Sequence, residues 1–212
     1  MRYTTVLFDL DGTLLDTSKG ILNSVRDTIA FYALPSLNDR DLLVFLGCSI
    51  YESFKKFYPE QDASKLVAYF RKMYVERHFE EAGEYDGISD VFKQLQNAGI
   101  RIGVATFKRE DLAHKLLSKY VFARYINTIC GSDSEGKLSK SNIIANCIKS
   151  IHFEEKKKVL MVGDAENDAN AASSVGVDFI GVSYGYGFDE NVFKDFPVAR
   201  TPQELLELIR LS

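Results

Sequence analysis

Four short apolar runs, Thr5–Leu10 (TVLFDL), Ile100–Ala105 (IRIGVA), Lys158–Val162 (KVLMV) and Asp178–Val182 (DFIGV), each end in turn residues, and most lead into a helical pattern. Strands alternating with helices predict βα units around a parallel sheet. A weaker strand signal covers Ile126–Cys130. Helical spacing marks Leu112, Ala113, Leu116, Leu117 and Tyr120, and again Val91, Phe92, Leu95 and Ala98. The last helix is announced by Thr201, Pro202, Gln203 and Glu204, a capping box with proline in the first turn. These elements belong to one α/β core.

Between Asp16 and Tyr85 the pattern changes. No strand is legible there, whereas Ile21, Leu22, Val25, Ile29 and Tyr32, then Leu66, Tyr69, Phe70, Met73 and Tyr74, recur at helical spacing. Roughly seventy residues far exceed the usual connection of about 4 to 6. Residues 16–85 are therefore expected to form an inserted all-helical domain, leaving 1–15 and 86–212 as the α/β core. An insertion at that point overhangs the carboxyl ends of the strands, where open parallel sheets bind ligands, and can act as a lid.

The 212 residues are 46% hydrophobic and 26% charged, with a formal net charge of -4, the composition of a chain that buries a core. No basic cluster supplies a nucleic-acid footprint. The longest charge run, Glu154–Lys158 (EEKKK), mixes signs and reads as a solvated turn. No stretch approaches the ~20 apolar residues of a membrane span, and Asp9 and Asp11 interrupt the amino-terminal apolar run before a signal peptide could develop. Cys48, Cys130 and Cys147 are odd in number and lack CxxC spacing, so reduced thiols and a cytoplasmic location are expected.

The chemistry sits at the strand ends. Asp9 and Asp11, at i and i+2 of an extended run, project to one side. Two unit charges about 4 Å apart cost roughly 4 kcal/mol near a protein surface, so a metal ion, a shared proton or a lysine must relieve them. A second acidic pair, Asp164 and Asp168 in VGDAENDANAA, follows another strand, four residues apart and about one helical turn. Four carboxylates at strand ends suit Mg²⁺; helix capping would explain Asp164 and Asp168 but not the first pair. Thr106 closes IRIGVA and begins a loop, a place where threonines commonly bond locally. Lys140 follows an N-cap serine, Ser139, so its cation opposes the helix dipole unless an anion is near; Lys137 competes for the same role.

DLDGT (Asp9–Thr13), Thr106, Lys140 and GDAEND (Gly163–Asp168) resemble, in order and spacing, the four motifs of the haloacid dehalogenase superfamily, and GVSYGYG (Gly181–Gly187) with FLG (Phe45–Gly47) is similar to its phosphoglycolate phosphatase branch. The resemblance implies a Rossmann-like parallel sheet with helices on both faces plus a helical cap, and a Mg²⁺-dependent phosphatase acting on a small phosphorylated metabolite, with 2-phosphoglycolate as the candidate. It implies Asp9 as nucleophile and Asp11 as acid and base. The metal would take the carboxylates of Asp9 and Asp164 and the backbone carbonyl of Asp11. Thr106 and Lys140 would hold phosphate oxygens, and Asp168 would position waters or Lys140 from behind. Two positions depart from the pattern: Phe107 replaces a frequent asparagine, and Ser141 a frequent proline. Cap residues such as Asp16, Tyr51 and the Gly47 loop would choose the substrate, and Tyr184–Gly187 would border the pocket or simply turn.

Three other functions compete. A haloalkanoic acid dehalogenase has no need of Asp11. A phosphosugar mutase of the β-phosphoglucomutase type shares Asp9 and Asp11 and would isomerise a hexose 1-phosphate. A non-catalytic binding protein would keep the fold and release no phosphate. Neither a nucleic acid nor a membrane is expected as partner, and the sequence leaves the oligomeric state open.

Overall fold

The computed structural model describes residues 2–47, 49–135, 137–151 and 158–211; Cys48 and most of the charge run at 154–158 lie outside them. Six strands form one parallel sheet: β1 (Thr5–Phe8), β4 (Arg101–Arg109), β5 (Thr128–Ser132), β6 (Val159–Gly163), β7 (Asp178–Val182) and β8 (Val198–Ala199), in the order β5-β4-β1-β6-β7-β8. Thr5 aligns with Arg101 on one side and Val159 on the other, which makes β1 central. All four β1 residues are buried, as a strand covered on both faces requires. Val6 and Phe8 face the layer of α5 (Ile88–Asn97), α6 (Glu110–Leu117) and α10 (Pro202–Leu211), and Leu7 faces α7 (Lys140–Ser150) and α8 (Glu166–Val175). That alternation is the two-residue period of a strand, applied to a layer on each side.

The chain leaves β1 toward β4 and β5, then crosses back to β6 and β7. The crevice of such a sheet opens outside the carboxyl ends of the strands where the order reverses, at β1. Strand boundaries differ from the expected ones chiefly at β4. It does not stop at Ala105 but runs to Arg109, with a register shift against β5 between Ala105 and Arg109. Thr106 therefore lies in an irregular strand end rather than in a loop. β8 has only two residues, too short to show a period.

Between β1 and α5 the chain is mainly helical: α1 (Ser18–Phe31), α2 (Asp39–Gly47), α3 (Ile50–Phe57) and α4 (Ala63–Met73), followed by a π-helical turn at Tyr74–His78. The segment is not strandless. β2 (Leu15–Asp16) and β3 (Gly83–Glu84) pair antiparallel, Leu15 with Glu84 and Asp16 with Gly83, and so tie together the two chain passages at the ends of the helical insert. Ile21, Val25, Leu66, Phe70 and Tyr74 are buried, as their spacing predicts. The last helix is capped as expected at Thr201, whose hydroxyl accepts from the Glu204 amide, but the Glu204 carboxylate reaches back to the amide of Arg200 instead of Thr201. Cys130 and Cys147 are buried free thiols. No helix among the described residues is long and apolar enough to cross a membrane.

Candidate active site

Two strand ends and the start of a helix meet at one buried point. Asp9 follows β1, and its amide donates to Val162 O on β6 at 2.9 Å, which holds the carboxylate beside the end of that strand. Asp164 follows β6 and is 1% exposed. Its Oδ1 accepts from Thr13 Oγ1 at 3.1 Å and its Oδ2 from the Gly187 amide at 2.9 Å. Asp168, in the first turn of α8, is equally buried, and its Oδ2 accepts from the Ala165 amide at 3.2 Å. Ligand oxygens of Asp9, Asp164 and Asp168 all lie within 4.8 Å of one another.

One ammonium enters this cluster. Ser139 caps α7 by accepting from the Asn142 amide, and Lys140, 4% exposed, reaches Asp9 Oδ1 at 2.7 Å and Asp168 Oδ1 at 2.8 Å. A lysine in a first helical turn opposes the dipole, and these two carboxylates are the compensating anions. Burial acts to lower the Lys140 ammonium, but Asp168 and Asp9 outweigh it and the net shift is upward. Lys137 instead pairs with Glu135 at 2.7 Å on the surface and does not reach the cluster.

Three negative charges against one positive leave an excess. Burial pushes the Asp9 carboxyl up to about 7, with Asp168 and Asp11 adding to the rise and Lys140 opposing it. Burial, then Asp9 and Asp168, push Asp164 up to about 8. Asp9 Oδ1, despite its charge contact with Lys140, receives no aligned hydrogen bond. A divalent cation fits this donor set: hard carboxylate oxygens, buried, under-neutralised and close enough to share one ion.

Asp11 is turned elsewhere. Past β1 the chain bends through Gly12, whose φ of 84° belongs to the left-handed region open to glycine. The Asp11 carboxylate accepts from Thr17 Oγ1 at 2.6 Å and pairs with Lys108 Nζ at 2.9 Å. The two neighbouring acids thus receive separate lysines. Both contacts fall on Asp11 Oδ1.

Lys108 is a buried cation of this site that the sequence reading did not single out. Its side chain is 7% exposed. Burial acts to lower its ammonium, but Asp11 and Tyr74 reverse the effect and raise it. Two residues beyond Thr106 on β4, it lines the same cavity as that threonine. Thr106 itself is 1% exposed, and its hydroxyl accepts from the Lys108 amide at 3.1 Å. Phe107 places its ring 5.3 Å from Lys140 Nζ, a cation–π contact at the position where asparagine is frequent.

A cavity separates the helical insert from the strand ends. Asp9, Asp11, Thr106, Lys108, Lys140 and Asp168 line its floor, and Phe45, Tyr51, Val67, Phe70, Arg71 and Tyr74 its roof. Of the expected selectivity residues, Tyr51 lines this cavity. Asp16 does not; it accepts from the Ser18 amide and hydroxyl at the start of α1. Gly47 ends α2, and its neighbours Leu46 and Ser49 reach the roof. Tyr184–Gly187 is more than a turn: Tyr184 donates to Thr13 O, Tyr186 shares a hydrogen bond with Thr17, and the Gly187 amide holds Asp164.

Fold and site together are those of a capped α/β hydrolase with a buried carboxylate cluster under the helical insert. A model of the haloacid dehalogenase-like hydrolases matches residues 6–182, and the chain belongs to that family. It is 33% identical over 188 residues to a phosphoglycolate phosphatase from Agrobacterium fabrum, covering 85% of this chain and 80% of that one. It is also 29% identical over 184 residues to the tyrosine-protein kinase PtkA of Mycobacterium tuberculosis, covering 86% of this chain but 62% of the length of PtkA. A crystal structure of a predicted phosphatase from Clostridium acetobutylicum superimposes with a TM-score of 0.91 at 30% identity, covering 99% of both chains.

Proposed function

We propose that the chain is a Mg²⁺-dependent phosphatase of small phosphorylated metabolites, with 2-phosphoglycolate as the candidate substrate, working through an aspartyl-phosphate on Asp9. The observation that carries this reading is the buried convergence of Asp9, Asp164 and Asp168 around Lys140, beside a second acid, Asp11, held by its own lysine. In this reading residues 16–85 form the cap and residues 1–15 with 86–212 the core. The similarity to a phosphoglycolate phosphatase supports the substrate class.

Asp9 and Asp164 would hold the ion, with the Asp11 carbonyl and Asp168 beside it. When bound, Mg²⁺ supplies the positive charge that offsets the repulsion between Asp9 and a dianionic phosphate. Asp9 forms the new bond to phosphorus as the ester bond breaks, a step open to carboxylate nucleophiles. The departing oxygen takes a proton from Asp11. A water then attacks the same phosphorus, gives its proton to Asp11 and frees Asp9. Lys140 and Thr106 hold the phosphate oxygens, where transition-state charge is spread. The roof excludes bulk water from the intermediate.

The test is phosphate release from a panel of phosphorylated sugars, nucleotides, short acids and p-nitrophenyl phosphate, with Mg²⁺ and with chelator, for the wild type and Asp9→Asn. Release that needs both Mg²⁺ and Asp9 supports the reading. Isomerised hexose phosphate without release would assign a mutase instead, and inactivity identical in both proteins would assign a binding role.

A further inference from the structure

The cavity holds a second buried ammonium on the side of Asp11. We infer that Lys108 is a specificity-determining residue that binds an anionic group of the leaving alcohol, so that the substrates hydrolysed best are phosphate esters of α-hydroxy acids, with a carboxylate one carbon from the ester oxygen. This rests on the phosphatase reading above and adds to it the residue that selects.

The placement follows from the acid. A proton donor must come within about 2.6–3.2 Å of the oxygen it serves. Whatever group bears the ester oxygen therefore stands beside the Asp11 carboxyl, and Lys108 Nζ is 2.9 Å from Asp11 Oδ1. In an α-hydroxy acid ester the carboxylate is the next group beyond that oxygen. It falls within reach of the same ammonium. An ammonium has three donors. Asp11 takes one and Tyr74 interacts with another, its ring centroid lying 4.6 Å from Nζ. A donor is left for a substrate anion.

The other cations of the cavity are engaged differently. Lys140 bridges Asp9 and Asp168 on the opposite side. Arg109 is paired with Asp111. Arg71, from the roof, donates to the backbone carbonyls of Ser134 and Asp133 and so ties α4 to the loop after β5. Among the described residues, Lys108 is the cation that touches the expected proton donor. Phe45, Tyr51, Phe70 and Tyr74 supply aromatic walls to the same cavity. Beside Asp11, the charged partner within reach of a carboxylate is the Lys108 ammonium. Burying an unpaired carboxylate is costly, and pairing it with a lysine removes most of that cost. Tyr74 belongs to the insert and Asp11 to the core, so the ammonium is contacted from both the roof and the floor.

The experiment compares 2-phosphoglycolate with ethyl phosphate, which lacks the carboxylate, in the wild type, Lys108→Met and Lys108→Arg, with Mg²⁺ and separate kcat and KM values. The wild type is expected to prefer 2-phosphoglycolate by about 10- to 100-fold in kcat/KM, the usual worth of one charge-assisted contact. Lys108→Met should erase that preference mainly through KM for the carboxylated ester. Lys108→Arg should restore part of it. Release of phosphate from both esters with no wild-type preference overturns the inference, and this outcome needs no variant to fold. Equal losses on both esters in Lys108→Met also overturn it, because Lys108 would then only position Asp11. Release from no ester at all overturns the phosphatase reading itself.

Discussion

Lys140 Nζ stands 2.8 Å from Asp168 Oδ1 in a setting where both side chains are almost wholly buried, at 4% and 1% exposure. The pair joins the first turns of two neighbouring helices, α7 and α8, under the end of β1. It explains why a lysine is tolerated at a helix start, and it fixes the ammonium against Asp9 before any substrate arrives.

Removing that ammonium should therefore damage both stability and rate. Breaking a buried ion pair from one side typically costs about 3–5 kcal/mol, because the remaining charge keeps its burial without its partner. Lys140→Met should lose about that much in urea unfolding with chelator present. Phosphate release should fall about 10²- to 10³-fold, the usual effect of deleting one donor to developing negative charge. Mg²⁺ should narrow the stability gap, since it neutralises the same carboxylates. A variant as stable and as fast as the wild type would remove Lys140 from the site.

The raised carboxyls predict an unusual pH dependence for the metal-free protein. Burial pushes the Asp9 and Asp164 carboxyls up to about 7 and about 8, against 3.8 for the ordinary group. Between these values the native state holds more protons than the unfolded one, so the slope of stability with pH is negative. Their contribution is fully present below 3.8 and is lost as pH rises through about 7 and 8. Urea midpoints in chelator should fall from pH 5 to pH 8.5. With saturating Mg²⁺ the trend should flatten or reverse, because the ion binds the ionised carboxylates and its binding releases protons. A midpoint that does not move with pH in chelator would contradict the buried, under-neutralised cluster.

The sheet was legible in the sequence because each strand is short, apolar and closed by turn residues, and Asp178–Val182 has the bounds of β7. The β2–β3 pair was not, since two residues on each side carry no period. For the site, the acidic strand ends announce themselves, as a charge after a buried strand conflicts with burial unless chemistry explains it. Lys108 stayed hidden for a different reason. A threonine after an apolar run looks like the start of a loop, and only the continuation of β4 to Arg109 brings Lys108 to the cavity that Thr106 lines. The hydrogen bonds of Tyr184, Tyr186 and Gly187 to residues more than twenty positions away leave no local trace at all.

Two glycines should prove intolerant of even a methyl group. Gly12 has φ of 84°, and a Cβ there would collide with the Asp164 carboxylate; at Gly185 a Cβ would meet both Gly12 O and Asp164. Gly12→Ala combines backbone strain of about 1–3 kcal/mol with displacement of a cluster carboxylate. Both variants should bind Mg²⁺ more weakly by calorimetry, with the larger loss at Gly12, where strain adds to the collision. Gly99→Ala, where φ is 74° and a Cβ meets nothing, controls for strain alone and should leave Mg²⁺ affinity unchanged.

Phe107 offers a test of how this chain manages without the asparagine frequent at that position. Its ring lies 5.3 Å from Lys140 Nζ, so part of the ammonium's environment is a π face. Cation–π contacts range from about 0.5–1 kcal/mol when exposed to about 2 when desolvated. A double-mutant cycle of Phe107→Leu with Lys140→Met should give a coupling within that range, since leucine keeps an apolar side chain and removes the quadrupole, and the cycle cancels the volume lost with the ring. Phe107→Leu alone should slow phosphate release by less than Lys140→Met does, because the ammonium keeps Asp9 and Asp168. A coupling of zero would mean that the ring fills space beside the lysine without steadying its charge.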